Sequence, residues 1–425
     1  MLSALFAAAG SGSSGFGGGG GGGGGGFGGG AHGAGGGGSW VGTLAFVVLV
    51  VIVFAVITIV GAIRTRRYRA RRAARAERIG AAAAEAVADD VDFAADRVTQ
   101  EARELYLGVV KAWSDGDRAG LRERIGGDLL VEWERRLDDF ERKGWHNICE
   151  VDRGPTVEYL GLVNRADDAD DRVTVRVEAR LHDYVTDRNG ATIQRNNSSS
   201  QYVTQREWWT LGKREDRWIL LSIEQDTEGA HHLDAPIVAA PWSDDQRLHD
   251  EAVTELAAAD AVPTQQLAGV ADVGYEGSAR AHALDLAMVD GRFAPNVLEA
   301  AARRAVSAWA EAVDGEDAPL EKVATHQAVD ALLYGGDASR RTRLVVRGPR
   351  LQALTIAAVD AESVPPSMVV EATIAGRRYR EDRDTAARIE GSADREATFT
   401  ERWTLTLDGD AQAPWRIAEA AAPVG

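Results

Sequence analysis

The chain has 425 residues, a formal net charge of −17 and a single cysteine. That length exceeds one ordinary domain, and one cysteine excludes an internal disulfide. An acidic body does not suit a surface that must bind phosphates, which excludes a nucleic-acid binder.

Residues 1–40 are a glycine-rich tail, with ten consecutive glycines from Gly17 to Gly26. Such a tract cannot bury enough apolar surface to fold and is expected to be disordered. It satisfies glycine phosphate-loop patterns by chance, because no strand precedes it. Residues 1–9 are mildly apolar but lack a positive n-region, and whether they are part of a signal peptide stays open.

Val41 to Ile63 is a run of 23 residues without a charge. At about 1.5 Å rise per residue it spans a hydrocarbon core of roughly 30 Å. Residues 41–63 are therefore read as a transmembrane helix, with Trp40 at its outer edge. Immediately after it come Arg64, Arg66, Arg67, Arg69, Arg71, Arg72, Arg75 and Arg78, with one glutamate among them. Such a collar marks the cytoplasmic side, so the tail lies outside and the rest of the chain lies on the cytoplasmic face of the inner membrane. The same arginines are candidates for contact with anionic headgroups. The collar carries +7, and taking it from −17 leaves −24 for residues 79–425. Residues 64–91 read as a basic juxtamembrane helix ending at Asp89-Asp90.

The body reads as a duplication. Phe93 opens a helical stripe of Val98, Ala102, Leu105, Val109 and Trp113, with Asp96 as its expected cap. Phe293 opens a second stripe of Leu298, Ala302, Ala305, Trp309 and Val313, with Asn296 as its expected cap. Each copy then has a Gly-Pro pair, Gly154-Pro155 and Gly348-Pro349, expected as a turn before a strand. Each closes on Trp-Thr-Leu, at Trp209 and Trp403, and on a last strand with Trp218 or Trp415. Within the first copy, short helical segments around Leu121 and from Leu129 to Phe140 precede strands. Arg172 to Leu181 alternates cleanly, apolar against polar. The organisation is residues 92–228 for the first domain, 229–290 for a partly helical linker and 291–425 for a divergent second domain. The fold class is α+β: one transmembrane helix, then two cone-shaped domains, each with helices packed on a curved antiparallel sheet.

The chain resembles the Tim44-like family, relatives of the membrane-anchor subunit of the mitochondrial presequence translocase. The resemblance rests on the glycine-rich start, the single span, Val98–Trp113, Leu129–His146, Gly154-Pro155 and Glu207-Trp208-Trp209-Thr210-Leu211 closing on Trp218. It covers 92–228 well and 293–421 more faintly. It implies a nuclear-transport-factor-two-like cone that works beside a membrane without catalysis, contacting lipid, a membrane protein complex or a client polypeptide. This chain departs from the mitochondrial relative in having a true span and two domains, so a role in protein import is not carried over.

Candidate surfaces follow. Trp133, Trp208, Trp209 and Trp218 are core residues or the wall of an apolar pocket, and successive Trp208 and Trp209 put one ring on each sheet face. Glu178 and His182 share the polar face of one strand and are candidates for acid–base work in a cone cavity, against the simpler reading of a solvated face. His146, Cys149 and Glu150 are too few for zinc, and adjacent His231 and His232 are expected to diverge. Cys149 reads as a small buried apolar residue. No catalytic, cofactor or metal residue is assigned. The expected function is a membrane-tethered adaptor or scaffold. The alternatives are a small-molecule binder or enzyme using the cone cavity and, more weakly, a ribosome-docking factor. Self-association stays open.

Overall fold

A computed structural model describes residues 40–193, 201–258, 273–411 and 413–420. The glycine-rich tail, 1–39, lies outside them, as do the side chains of 40–48, 50 and 51. Helix α1, Trp40–Ala86, is one unbroken helix of 47 residues that takes in the apolar run, the arginine collar and the alanine-rich stretch. Among the described residues no helix is long and apolar enough to cross a membrane.

The first unit begins inside α1. Ile79, Ala83 and Ala86 are buried in the same core as Phe93, Val98 and Trp113. Helices α2 (Ala95–Asp115), α3 (Arg118–Arg124) and α4 (Gly127–Lys143) come next. They pack on strands β1 (His146–Val163), β2 (Arg172–Thr186), β4 (Tyr202–Arg214) and β5 (Arg217–Gln225), in the order β1-β2-β4-β5, with the short β3 (Thr192–Ile193) on β2. All pairings in this sheet are antiparallel.

The second unit repeats the plan. Helices α5 (Asp245–Ala258) and α6 (Ala279–Ala287) precede α7 (Pro295–Asp314), α8 (Ala318–Glu321) and α9 (His326–Tyr334). The sheet order is β11-β10-β8-β7-β6, from β6 (Val273–Tyr275), β7 (Thr342–Asp360), β8 (Ser367–Asp382), β10 (Ala397–Leu407) and β11 (Trp415–Ala420), with β9 (Arg388–Gly391) on β8. Strand β6 pairs parallel with β7, so this sheet is mixed rather than purely antiparallel. The expected linker thus builds much of the second unit: α5 buries Val253 and Ala257 against Val297 and Ala300 of α7, and α6 buries Ala283 in the main core.

The two units match in atomic detail. A 3₁₀ turn precedes the first long helix of each unit, capped by the side chain of Asp90 in one and Asp290 in the other. Phe93 meets Trp218 edge-on at 5.5 Å, and Phe293 meets Trp415 at 5.6 Å. Trp218 Nε1 donates to Asp92 O, and Trp415 Nε1 to Arg292 O. Two expectations change. Asp96 lies in the first turn of α2 and Asn296 in that of α7; each helix starts after an alanine, Ala94 or Ala294, because the preceding turn already takes the capping acid. The Gly-Pro pairs lie inside β1 and β7, at register shifts between Arg153 and Thr156 and between Arg347 and Arg350. Proline has no N–H to give the ladder, and the bulge removes that demand.

Candidate functional site

Three of the eight collar arginines, Arg71, Arg72 and Arg75, are committed to protein. Along α1, Tyr68, Arg72, Arg75, Ile79, Ala83 and Ala86 share one face, at spacings of three and four, and that face lies against the first unit. Arg75 is buried and donates from Nε to Leu160 O and from Nη1 to Ala235 O, both at 2.8 Å. Burial lowers its pKa to about 10. Arg72 pairs with Glu158 at 3.1 Å, and Arg71 with Asp234 at 2.8 Å. Tyr68 donates to Asp226 Oδ1 at 3.1 Å, and burial together with Asp226 pushes its hydroxyl up to about 12. Arg64, Arg66, Arg67, Arg69 and Arg78 are exposed.

The tryptophan surface is corrected. Trp133, Trp208, Trp209 and Trp218 are all buried. Trp208 does point to the outer sheet face, but α1 and the 3₁₀ turn 229–233 roof it: it packs with Leu160, Leu233, Tyr68 and Ala76. Trp133, Trp209 and Trp218 are core.

The acid–histidine pair does not assemble. Val173, Val175, Val177, Ala179 and Leu181 of β2 face the helices, so Glu178 and His182 lie on the outer face and not in the cone. Glu178 bridges Arg206 at 3.1 Å and Arg176 at 3.4 Å, which lowers its pKa against the opposing effect of burial. His182 meets Gln201 at 2.7 Å and stacks on Tyr202, ring centroids 4.8 Å apart.

The inward polar residues are others. Asp183 follows Leu181 on the inner face of β2, and Cys149 sits directly opposite on β1. Asn147 accepts from Trp113 Nε1 and donates to Asp183 Oδ1, each at 2.8 Å. Tyr106 of α2 donates to Gln205 Oε1 at 3.0 Å and lies against Trp209, ring centroids 5.0 Å apart. Burial raises the Tyr106 hydroxyl well above its ordinary range, helped by Glu207, Cys149 and Asp183. Glu207 is fully enclosed. Its Oε2 accepts from Trp209 Nε1 at 3.0 Å, and its Oε1 has no hydrogen-bond partner among the described residues. Burial pushes its carboxyl up to about 7, with the Trp209 bond pulling weakly the other way. A cleft of about 370 Å³ lies beside this interior, with Trp113, Leu137, Phe140, Trp145 and Asn147 in its wall.

Sequence reasoning passed over this group because it sought polar residues on the polar face. The signal was the converse. In Val203-x-Gln205-x-Glu207-x-Trp209 and Leu181-x-Asp183-x-Val185, polar side chains occupy positions that alternation reserves for apolar ones.

Among the described residues, two clusters of metal-ligating residue types also occur. Glu224, His231 and His232 converge, which corrects the expected divergence of the histidines. The 3₁₀ turn lays the two rings 4.1 Å apart, and buried Glu224 draws both. His231 uses both ring nitrogens, Nδ1 toward Glu228 O at 3.0 Å and Nε2 toward Asp314 at 3.3 Å. Burial disfavours its charge, but Glu224 and Asp314 win and raise it to about 9. A metal needs neutral histidines; this one holds a proton and ties β5 to the end of α7, beside Arg347, which bonds Asp314 at 2.7 Å. The second cluster, Asp90, Asp168 and Asp171, already has a cation, the buried ammonium of Lys213.

Residues 79–225, which make up most of the first unit, match the family model described as Tim44-like domain. No curated protein matches the chain. Among solved structures, the intermembrane space region of chloroplast protein ARC6 is similar at 15% identity, covering 30% of this chain and 95% of that one, with a TM-score of 0.24. An Ntf2-like protein involved in plasmid conjugation is similar at 7% identity, covering 76% and 95%, with a TM-score of 0.18. Those scores are too low for either to bear on the reading.

Proposed function

We propose that this protein is a single-pass inner-membrane protein that works without catalysis, as an adaptor or scaffold holding two cones at the cytoplasmic face. The observation that carries the reading is α1. The helix that contains the apolar run continues without a break into the contacts of Tyr68, Arg72 and Arg75 with the first cone. From Ile63 to Tyr68 is about 8 Å along a helix axis. A span at 41–63 therefore holds the cone against the headgroup layer, where a loose linker would let it wander. The exposed arginines Arg64, Arg66, Arg67 and Arg69 then face anionic headgroups, each worth about 1 kcal/mol near such a surface. The partner is a membrane protein complex or a client polypeptide.

Two measurements test this. A cytoplasm-dependent reporter fused after Gly425 is expected to be active, and activity only outside the cytoplasm overturns the topology. Photo-crosslinkers at exposed Met288 and Val289 are expected to trap a protein neighbour in intact membranes, and their recovery without any neighbour counts against the adaptor role.

A second reading is favoured by one observation, the polar interior around Glu207: the first cone binds a small molecule. Filled apolar cones need no buried carboxylate, and the first cone has one whose second oxygen is left unbonded.

A further inference from the structure

Glutamate occurs at the same inner position in both cones, two residues before the core tryptophan: Glu207 before Trp209, and Glu401 before Trp403. Both carboxylates are buried. Trp209 pairs with Val175 and Trp403 with Val370, so eight residues further along the inner strand Asp183 corresponds to Arg378. Arg378 meets Glu401 at 3.3 Å, with its guanidinium 4.7 Å from the Phe399 ring centroid. The second cone thus sets a cation at ion-pair distance from its buried acid, although Glu401 Oε1, like Glu207 Oε1, accepts no hydrogen bond among the described residues. The first cone places a second acid there instead, and its glutamate is left with only the indole of Trp209.

A buried carboxylate without a counter-charge is costly, and a neutral side chain of the same size relieves the cost. A local rule broken in one copy and kept in the other marks a place used for something besides folding. We infer that the interior of the first cone binds a small organic cation, a guanidinium or alkylammonium group, which stands against Glu207 where Arg378 stands against Glu401. This rests on the small-molecule reading of the first cone and names its ligand class.

The surroundings fit that class. The groups around Tyr106 of α2 are Cys149 from β1, Asp183 from β2, and Gln205, Glu207 and Trp209 from β4, and none of these is basic. The rings of Tyr106 and Trp209 offer π faces to a cation. The cleft beside Trp113 and Asn147 also carries Arg118, Glu141 and His146, and Asn147 joins its wall to Asp183.

The test uses the full chain in lipid nanodiscs, with thermal unfolding and tryptophan fluorescence as readouts. The probes are n-butylguanidine and its neutral counterpart 1-pentanol. The cation is expected to raise Tm saturably and the alcohol not. Glu207→Gln is expected to keep the circular dichroism of the native chain and to weaken cation binding about tenfold or more, as loss of a charged hydrogen bond does. Asp183→Arg, which copies the second cone, is expected to abolish the response while the protein stays folded. A response to the cation that survives both substitutions overturns the inference. An equal response to the alcohol overturns it while leaving small-molecule binding intact. No response to either probe removes both.

Discussion

In the first cone Tyr106, Asn147, Cys149 and Gln205 hold the inner positions that Val306, Leu344, Val346 and Phe399 fill in the second. The frames are the same, down to the edge-on phenylalanine and tryptophan at 5.5 and 5.6 Å. The second interior is a packed apolar core in which Glu401 lies beside Arg378. The first combines four buried tryptophans with an acid whose hydrogen-bond partner among the described residues is an indole. A duplicated fold lets one copy stay optimised for packing while the other carries groups that packing alone disfavours.

Substitutions in the two cones probe the contrast, from the largest expected effect to the smallest. Lys213→Met removes the cation beneath Phe93 and Trp218 and leaves Asp90, Asp92 and buried Asp171 facing one another. Breaking a buried pair in this way costs about 3–5 kcal/mol. In the second cone Leu407 stands where Lys213 does, opposite Trp415, and Asp290 is met by Arg292 in an exposed pair whose removal should cost below about 1 kcal/mol. Denaturant midpoints of the two variants read this directly, and equal losses would erase the distinction.

Arg378→Leu strands Glu401 and is expected to cost about 2–3 kcal/mol, less than a fully buried pair because the guanidinium keeps some solvent contact. Glu207→Gln moves stability the other way. Its carboxyl titrates at about 7 in the fold against 4.5 in the unfolded chain, so the folded state holds the extra proton between those values. Wild-type stability therefore falls as pH rises from about 4.5 to about 7, by roughly 3 kcal/mol in all, and is flat above. The variant should lose that slope and be about 1–3 kcal/mol more stable at pH 8. A pH series of urea unfolding curves decides it, and an unchanged slope would mean that Glu207 is paired after all.

Tyr106→Phe removes one buried hydrogen bond to Gln205, for about 1 kcal/mol. Val306→Ala at the matching position removes only apolar contact, at a cost of the same order. The two separate through the cation response, which only the first should alter.

Much of this was legible beforehand, and the rest was not for identifiable reasons. Stripes such as Val98–Trp113 and Leu298–Val313 announced helices because a core face repeats every 3.6 residues. The alternation of β2 gave its inner face but was read only to Leu181, one inner position short of Asp183. Trp208 was taken for a candidate surface because nothing local shows that a helix from 140 residues earlier in the chain, α1, will cover it. His231 and His232 were expected to diverge because divergence is the rule for neighbours; a 3₁₀ turn against a buried glutamate brings them together.

By itself the sequence determined the periodic parts: two copies of one α+β unit, the strand and helix faces, an apolar run of 23 residues and the arginines beside it. These depend on neighbours within a turn or two, so a linear reading reaches them. Only the tertiary structure decided which charges meet. Arg75 under Leu160 and Ala235, Asp314 beside His231, and Glu207 left without the base that Glu401 has in Arg378 are pairings between distant segments. Whether a buried charge is paired or alone depends on that geometry, because Coulomb attraction and desolvation act through space and not along the chain.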